Sequence, residues 1–300
     1  MSFPLFSRPG SVVVVDDDPD FLSMVASTLQ RMWDCRFFSD PHQFLRHIES
    51  EAPLFEVDIG AQQQVVNRWA EGECLVPGIL EYWTRSIERF ALTRVCVVDR
   101  KMPLDGFEVL ERLRFWDGYK LLLTGHVDNS EAVAAFNAGL IDKFLAKQSP
   151  SLLPSLVAAI GTLQAKPMQR MDQIWRATLS SHQAAILSRA PAARELASWT
   201  REKFVEYIVI GSPFGVLGVG PAGELGWIQL EEEDAHHSPE ISDALIRAEF
   251  DLAQMAVSAR VRTIGGAGLR GAYFSLDWAP GGDRRDWTYR AWLKQFTGGV

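Results

Sequence analysis

The sequence predicts an α/β chain. An open, doubly wound sheet of five parallel strands is expected over residues 1–165, followed by a smaller α+β domain over 168–300. Three observations carry this. Short apolar runs rich in Val and Leu stop abruptly at polar residues, as strands buried on both faces do. Segments with apolar residues at helical spacing alternate with those runs, the pattern of βα units. After Lys166-Pro167 the alternation ends, and strand-like runs follow one another across glycine turns.

Val12-Val13-Val14-Val15 is the first strand, ended by Asp16-Asp17-Asp18-Pro19. Residues 19–33 set Phe21, Leu22, Val25, Leu29 and Trp33 at helical spacing. Arg36–Phe38 is a second short strand and 41–49 a second helix. Val95–Val98 is a third strand, ending at Asp99. Phe107–Phe115 is a helix, Lys120–Leu123 a strand ending at Thr124, and Ser130–Ala138 a helix. Lys143–Ala146 and 149–164 supply the last strand and helix of this half. Residues 51–93 break the rhythm. They contain one amphipathic helix through Ile79, Leu80, Trp83, Ile87 and Phe90, and a shorter one near Val65, Val66 and Trp69.

Composition bounds the function. The chain has 300 residues, enough for two domains, and is 47% hydrophobic. Its formal net charge of −8 argues against a nucleic-acid binder that relies on bulk positive charge. Three cysteines without metal-ligand spacing suit a reducing cytosol, and no apolar run is long enough to span a bilayer. The N-terminus does not read as a signal peptide, so a cytoplasmic protein is expected.

In open parallel sheets, ligands bind beyond the carboxyl ends of the strands. Here those ends carry Asp16-Asp17, Asp99 and Thr124, with Lys147 just after the last strand. Three neighbouring carboxylates repel, and a shared cation relieves the repulsion. Mg²⁺ is a hard ion that accepts a few carboxylates together with phosphate oxygens. A carboxylate is also a competent nucleophile toward a phosphoryl group, with Lys147 and Thr124 suited to its oxygens.

Four segments occur in order at these ends: VVVVDDDP at 12–19, VVDRKMPLDGFEVL at 97–110, LLTG at 122–125 and FLAK at 144–147. Together they resemble the receiver domain of bacterial two-component response regulators, a flavodoxin-like fold of the chemotaxis type. The resemblance implies that Asp99 is the phosphoacceptor. It implies Mg²⁺ held by Asp16, Asp17, Asp99 and the main-chain carbonyl of Lys101, with Asp17 a direct ligand. Thr124 and Gly125 match the switch hydroxyl and its neighbour, Lys147 the phosphoryl-pairing lysine, and Phe144 the aromatic switch position. A histidine kinase or phosphotransfer protein is the implied donor, and no enzymatic activity beyond the domain's own phosphorylation and dephosphorylation is implied. The sequence departs from the pattern at Gln148, where a proline in a cis bond usually follows the lysine. A cis bond without proline is costly, so a trans loop is expected.

Asp17 and Asp99 lie farther apart than the fold needs, which makes 51–93 an insertion: an elaborated cap on a sheet edge, or a surface for dimerisation or kinase docking. In the C-terminal half, Gly218–Gly223 spells G-x-G-x-x-G, yet an alternating run, Glu224–Leu230, follows it. A hairpin turn is therefore expected in place of a dinucleotide loop. Residues 179–196 faintly suggest a helix-turn-helix, with packing helices the better reading. Residues 168–300 hold 14 Lys and Arg against 16 Asp and Glu, and Arg260, Arg262, Arg270, Arg284 and Arg285 lie near glycine loops. Glu231–Asp234 with His236 and His237 reads as a solvated loop in preference to a metal site. Helices at 239–258 and 286–296 and a strand at 272–278 complete the reading. The expected output is protein–protein interaction, including homodimerisation; the alternative is nucleic-acid binding by the C-terminal half.

Overall fold

The computed structural model describes residues 2–85, 87–125, 129–232, 260–264 and 269–276. The elements begin with β1 (Phe6–Ser7), β2 (Ser11–Val15), α1 (Pro19–Leu29), β3 (Cys35–Phe38), α2 (Pro41–Ala70) and α3 (Leu75–Arg85). They continue with β4 (Thr93–Asp99), α4 (Gly106–Arg112), β5 (Tyr119–Thr124), α5 (Asn129–Asn137), β6 (Lys143–Ala146) and α6 (Leu152–Gln164). Helices α7 (Gln169–Arg176), α8 (Ser181–Leu187) and α9 (Ala190–Lys203) follow. Strands β7 (Glu206–Gly211), β8 (Phe214–Val219), β9 (Leu225–Glu232), β10 (Arg260–Ile264) and β11 (Leu269–Leu276) come last. The helices expected over 239–258 and 286–296 lie outside the described residues.

The chain divides into two compact units. One comprises Pro9–Val57 and Glu88–Lys166; the other comprises Met1–Arg8, Asp58–Ile87 and Pro167–Val300. This differs from the contiguous division into 1–165 and 168–300, because the first eight residues and most of 51–93 group with the C-terminal half.

The first unit is a parallel sheet in the order β3-β2-β4-β5-β6. Alternate strand residues enter two cores. Val12, Val14, Val95, Val97, Leu121 and Leu123 pack with α1 and α6, while Val13, Val15, Cys96, Val98 and Leu122 pack with α2, α4 and α5. Both faces are covered, which is why these strands are continuously apolar in sequence. The order reverses between β2 and β4, so the carboxyl ends of those two strands flank the switch point of the fold.

Helix α2 corrects the short helix expected at 41–49. It runs unbroken to Ala70 with Pro53 inside it. Its buried residues include Phe44, Leu45, Ile48, Glu51, Asp58, Gln62, Val65 and Val66, three of them polar. Each of those polar groups is satisfied. Glu51 accepts bonds from the Thr93 N–H (2.8 Å) and hydroxyl (3.0 Å). Asp58 accepts from the Tyr82 hydroxyl (2.7 Å) and pairs with Arg8 (2.5 Å), and Gln62 accepts from the Trp175 indole N–H (2.7 Å).

The second unit is α+β. Its sheet is wholly antiparallel, in the order β1-β7-β8-β9-β11-β10. Phe6 and Ser7 pair with Ile208 and Tyr207, and the Leu5 and Phe6 N–H groups donate to Asp172 (3.1 Å each). These bonds fix the N-terminal segment here. Gly220–Gly223 is the turn between β8 and β9, as expected. Gly220 N–H donates to the Glu224 carbonyl (2.7 Å), and Gly223 takes φ +79°, a conformation that favours glycine. Residues 181–203 form α8 and α9, with Ser180 and Gln183 closing a capping box at the start of α8. β11 spans 269–276 where a strand was expected at 272–278, and β10 is an additional strand.

Candidate functional site

The site is assembled at the carboxyl ends of β2 and β4. Asp16, one residue past β2, is fully buried, and Asp99, the last residue of β4, is 3% exposed. Asp17 is exposed. One carboxylate oxygen of each of the three lies within 4.8 Å of the others. Local sequence explains the placement. Asp18 caps α1, its side chain accepting the N–H groups of Asp20 (2.9 Å) and Phe21 (3.1 Å), and Pro19 opens the helix. The chain therefore turns sharply after Asp17. Past β4, Asp105 caps α4 through the Phe107 N–H (2.8 Å). A Cβ on Gly106 would lie 2.2 Å from the Asp99 carbonyl oxygen, so only glycine fits where this loop crosses the end of β4.

Lys147 follows β6 and closes the cluster. Its ammonium is 2.7 Å from Asp16 and 3.5 Å from Asp99. The Lys101 N–H donates to Asp99 (3.1 Å) and the Asp18 N–H to Asp16 (3.0 Å). Burial pushes the Asp99 carboxyl up to about 6, and the charge of Asp16 adds to this against the opposing pull of Lys147 and the Lys101 N–H. Burial also raises Asp16. For Lys147, burial opposes the charge, but Asp16 and Asp99 outweigh it and raise the ammonium's pKa.

Thr124 ends β5, and its hydroxyl donates to the Leu145 carbonyl (3.4 Å). Phe144 is half-buried against the core on the α2, α4 and α5 side of the sheet. Gly125 follows Thr124, and a Cβ there would meet nothing within 4 Å. The Lys147 N–H donates to the Thr124 carbonyl (2.7 Å). The peptide between Lys147 and Gln148 is trans, since Ser212–Pro213 is the one cis bond among the described residues.

The structure thus brings Asp16, Asp17, Asp99 and Lys147 together, with Thr124 on the adjoining strand end. Two neighbours carry no sequence expectation. Arg100 pairs with Asp105 and with Glu131 at the start of α5 (3.2 Å), and its guanidinium stacks on Phe107 at 4.4 Å. Phe21, read from sequence only as a core residue, lies under the Lys147 ammonium at 4.3 Å. Among the expected basic residues of the C-terminal half, Arg260, Arg262 and Arg270 lie on β10 and β11, while Arg284, Arg285, His236 and His237 lie outside the described residues.

The donor set suits a hard divalent cation. Three carboxylates converge beside one lysine, and burial together with the Asp16 charge holds the Asp99 carboxyl above its ordinary value.

Five parallel strands in this order, with helices on both faces, form a flavodoxin-like sheet, the fold of response-regulator receiver domains. Among solved structures, the chain is similar to the Legionella pneumophila response regulator LqsR, with 22% identity over 93% of this chain and 91% of that one and a TM-score of 0.64. The BeF3-activated DrrB receiver domain also matches, with 18% identity over 53% of this chain and 100% of that one (TM-score 0.35). So does a CheY-like receiver from Methanospirillum hungatei JF-1, with 16% identity over 56% of this chain and 97% of that one (TM-score 0.34). No protein-family model matches the chain, and no curated protein matches it.

Proposed function

We propose that the protein is a two-component response regulator that accepts a phosphoryl group on Asp99. The observation that carries this reading is the buried Asp99 carboxylate within 3.5 Å of the Lys147 ammonium, beside two further carboxylates. Asp16, Asp17, Asp99 and the Lys101 carbonyl would hold Mg²⁺, which when bound offsets charge on the carboxylates and on the phosphoryl oxygens.

An Asp99 oxygen attacks phosphorus, and an O–P bond forms. The bond from phosphorus to the donor, an imidazole nitrogen of a kinase or phosphotransfer protein or an acetate oxygen of acetyl phosphate, breaks with its electron pair going to the donor. Lys147 stabilises the oxygens that carry charge in transfer. The Thr124 hydroxyl leaves the Leu145 carbonyl for a phosphoryl oxygen, and Phe144 repacks. The two packings form an equilibrium that phosphorylation biases. The protein acts in the cytoplasm, and its output is protein–protein contact, homodimerisation included. Its chemistry ends at its own phosphorylation and dephosphorylation. No described helix is long and apolar enough to cross a membrane.

Intact-mass spectrometry after incubation with acetyl phosphate and Mg²⁺ tests the reading. One phosphoryl adduct in the wild type, absent from Asp99→Asn, is expected. Absence of an adduct with both acetyl phosphate and phosphoramidate would overturn it.

A further inference from the structure

We infer that Phe21 is a positioning residue for phosphoryl transfer, acting through Lys147. The inference rests on the phosphoacceptor reading of Asp99. An ammonium has three N–H donors to place and a charge to satisfy. Lys147 points one side at Asp16 (2.7 Å) and one at Asp99 (3.5 Å), and its side chain is only 22% exposed. Phe21 provides the remaining side, its ring centroid 4.3 Å from Nζ. The face of an aromatic ring is electronegative and attracts a cation without accepting a full hydrogen bond.

That chemistry suits this position. A fourth carboxylate would draw the ammonium away from Asp99 and add charge to a cluster that already repels. An aliphatic side chain would bury the cation against nothing. The ring itself cannot wander: Phe21 is 8% exposed, packs in the core beneath α1 and α6, and its N–H is held by Asp18. The run Asp16-Asp17-Asp18-Pro19-Asp20-Phe21 therefore does four things in six residues. It pairs the lysine, offers an exposed carboxylate, caps the helix and sets a ring under the ammonium.

The test is the rate of phosphorylation by acetyl phosphate in Mg²⁺, a small donor that needs no docking surface. Phe21→Leu keeps an apolar side chain and removes the ring face; the rate is expected to fall about 2- to 30-fold, the range of a cation–π contact. Phe21→Tyr keeps the face and is expected to restore the rate to within about twofold of wild type. In a Lys147→Met background, Phe21→Leu is expected to change the residual rate no further, because the ring then has no cation to hold. Independently of any Phe21 variant, the side-chain methylene resonances of Lys147 are expected upfield of ordinary lysine values through the ring current. Equal losses from Phe21→Leu with and without Lys147 would overturn the inference, as would a wild-type rate in folded Phe21→Leu or unshifted Lys147 resonances. In those cases the phosphoacceptor reading stands if wild type still forms its adduct. If wild type forms none with either donor, both readings fall.

Discussion

Asp99→Asn removes a charge that the fold holds at a cost. With the carboxyl raised from 3.8 to about 6, ionising Asp99 in the folded chain is harder by about two pKa units than in the unfolded chain. At about 1.4 kcal/mol per unit, the ionised group costs the folded state about 3 kcal/mol once both states are deprotonated. Below about pH 4 the carboxyl is protonated in both states and costs nothing. Between pH 4 and 6 only the unfolded chain ionises, so stability falls as pH rises, and the loss is complete above about 7. Asparagine is neutral throughout and close in shape. In EDTA, equilibrium urea unfolding followed by far-ultraviolet circular dichroism is therefore expected to show Asp99→Asn more stable than wild type by up to about 3 kcal/mol at pH 8, the gain vanishing near pH 4. A gain of the same size at both pH values would trace to packing and refute the charge argument. No gain at pH 8 would refute the burial of an unbalanced carboxylate.

Four further outcomes are expected. Mg²⁺ at 100 times its dissociation constant should stabilise wild type by about 2.7 kcal/mol, and Asp17→Asn should lose most of this in thermal scans with and without the ion. Gly106→Ala forces a Cβ against the Asp99 carbonyl and should cost at least about 2 kcal/mol and sharply slow adduct formation, read by denaturation and intact mass. Asp58→Ala removes the carboxylate paired with the buried Arg8 guanidinium and should cost up to about 3–5 kcal/mol, whereas phosphorylation of any folded fraction should be retained. Lys147→Met removes the cation paired with buried Asp16 and should slow transfer to Asp99 while the midpoint of unfolding falls, both measured on one preparation.

The parallel sheet is legible because both its faces are covered, which forces Val12–Val15 and Val95–Val98 to be apolar without interruption. The site is legible for a related reason. Its groups sit at strand ends, where apolar runs stop, so Asp16, Asp17, Asp99, Thr124 and Lys147 punctuate the sequence. Helix α2 beyond residue 50 is not legible, since its buried stripe passes through Glu51, Asp58 and Gln62, which a hydrophobic pattern counts as surface. Strand β1 is two residues long, and its partners lie some two hundred positions away, beyond any local signal. Phe21 obeys the core pattern so well that its second contact, with Lys147, leaves no separate mark. Arg100 pairs with Asp105 and Glu131 on different elements, and no spacing announces that.

The interleaving of the two units has a consequence for synthesis on the ribosome. Chains are made at about 5–20 residues per second, and domains generally fold as they emerge, N-terminal first. Here Phe6 waits for Ile208, and Gln62 waits for Trp175. At those rates the first residues remain unpaired for roughly 10–40 s. Meanwhile Pro9–Val57 and Glu88–Lys166 emerge in full, with Asp58–Ile87 between them in sequence and its hydrogen bond from Trp175 not yet made. A nascent chain stopped near Lys166 would hold a complete parallel sheet while the Gln62 amide on α2 still lacks the Trp175 indole. The parallel sheet can therefore finish before the strands that complete the antiparallel sheet exist, while the first eight residues wait for their partners.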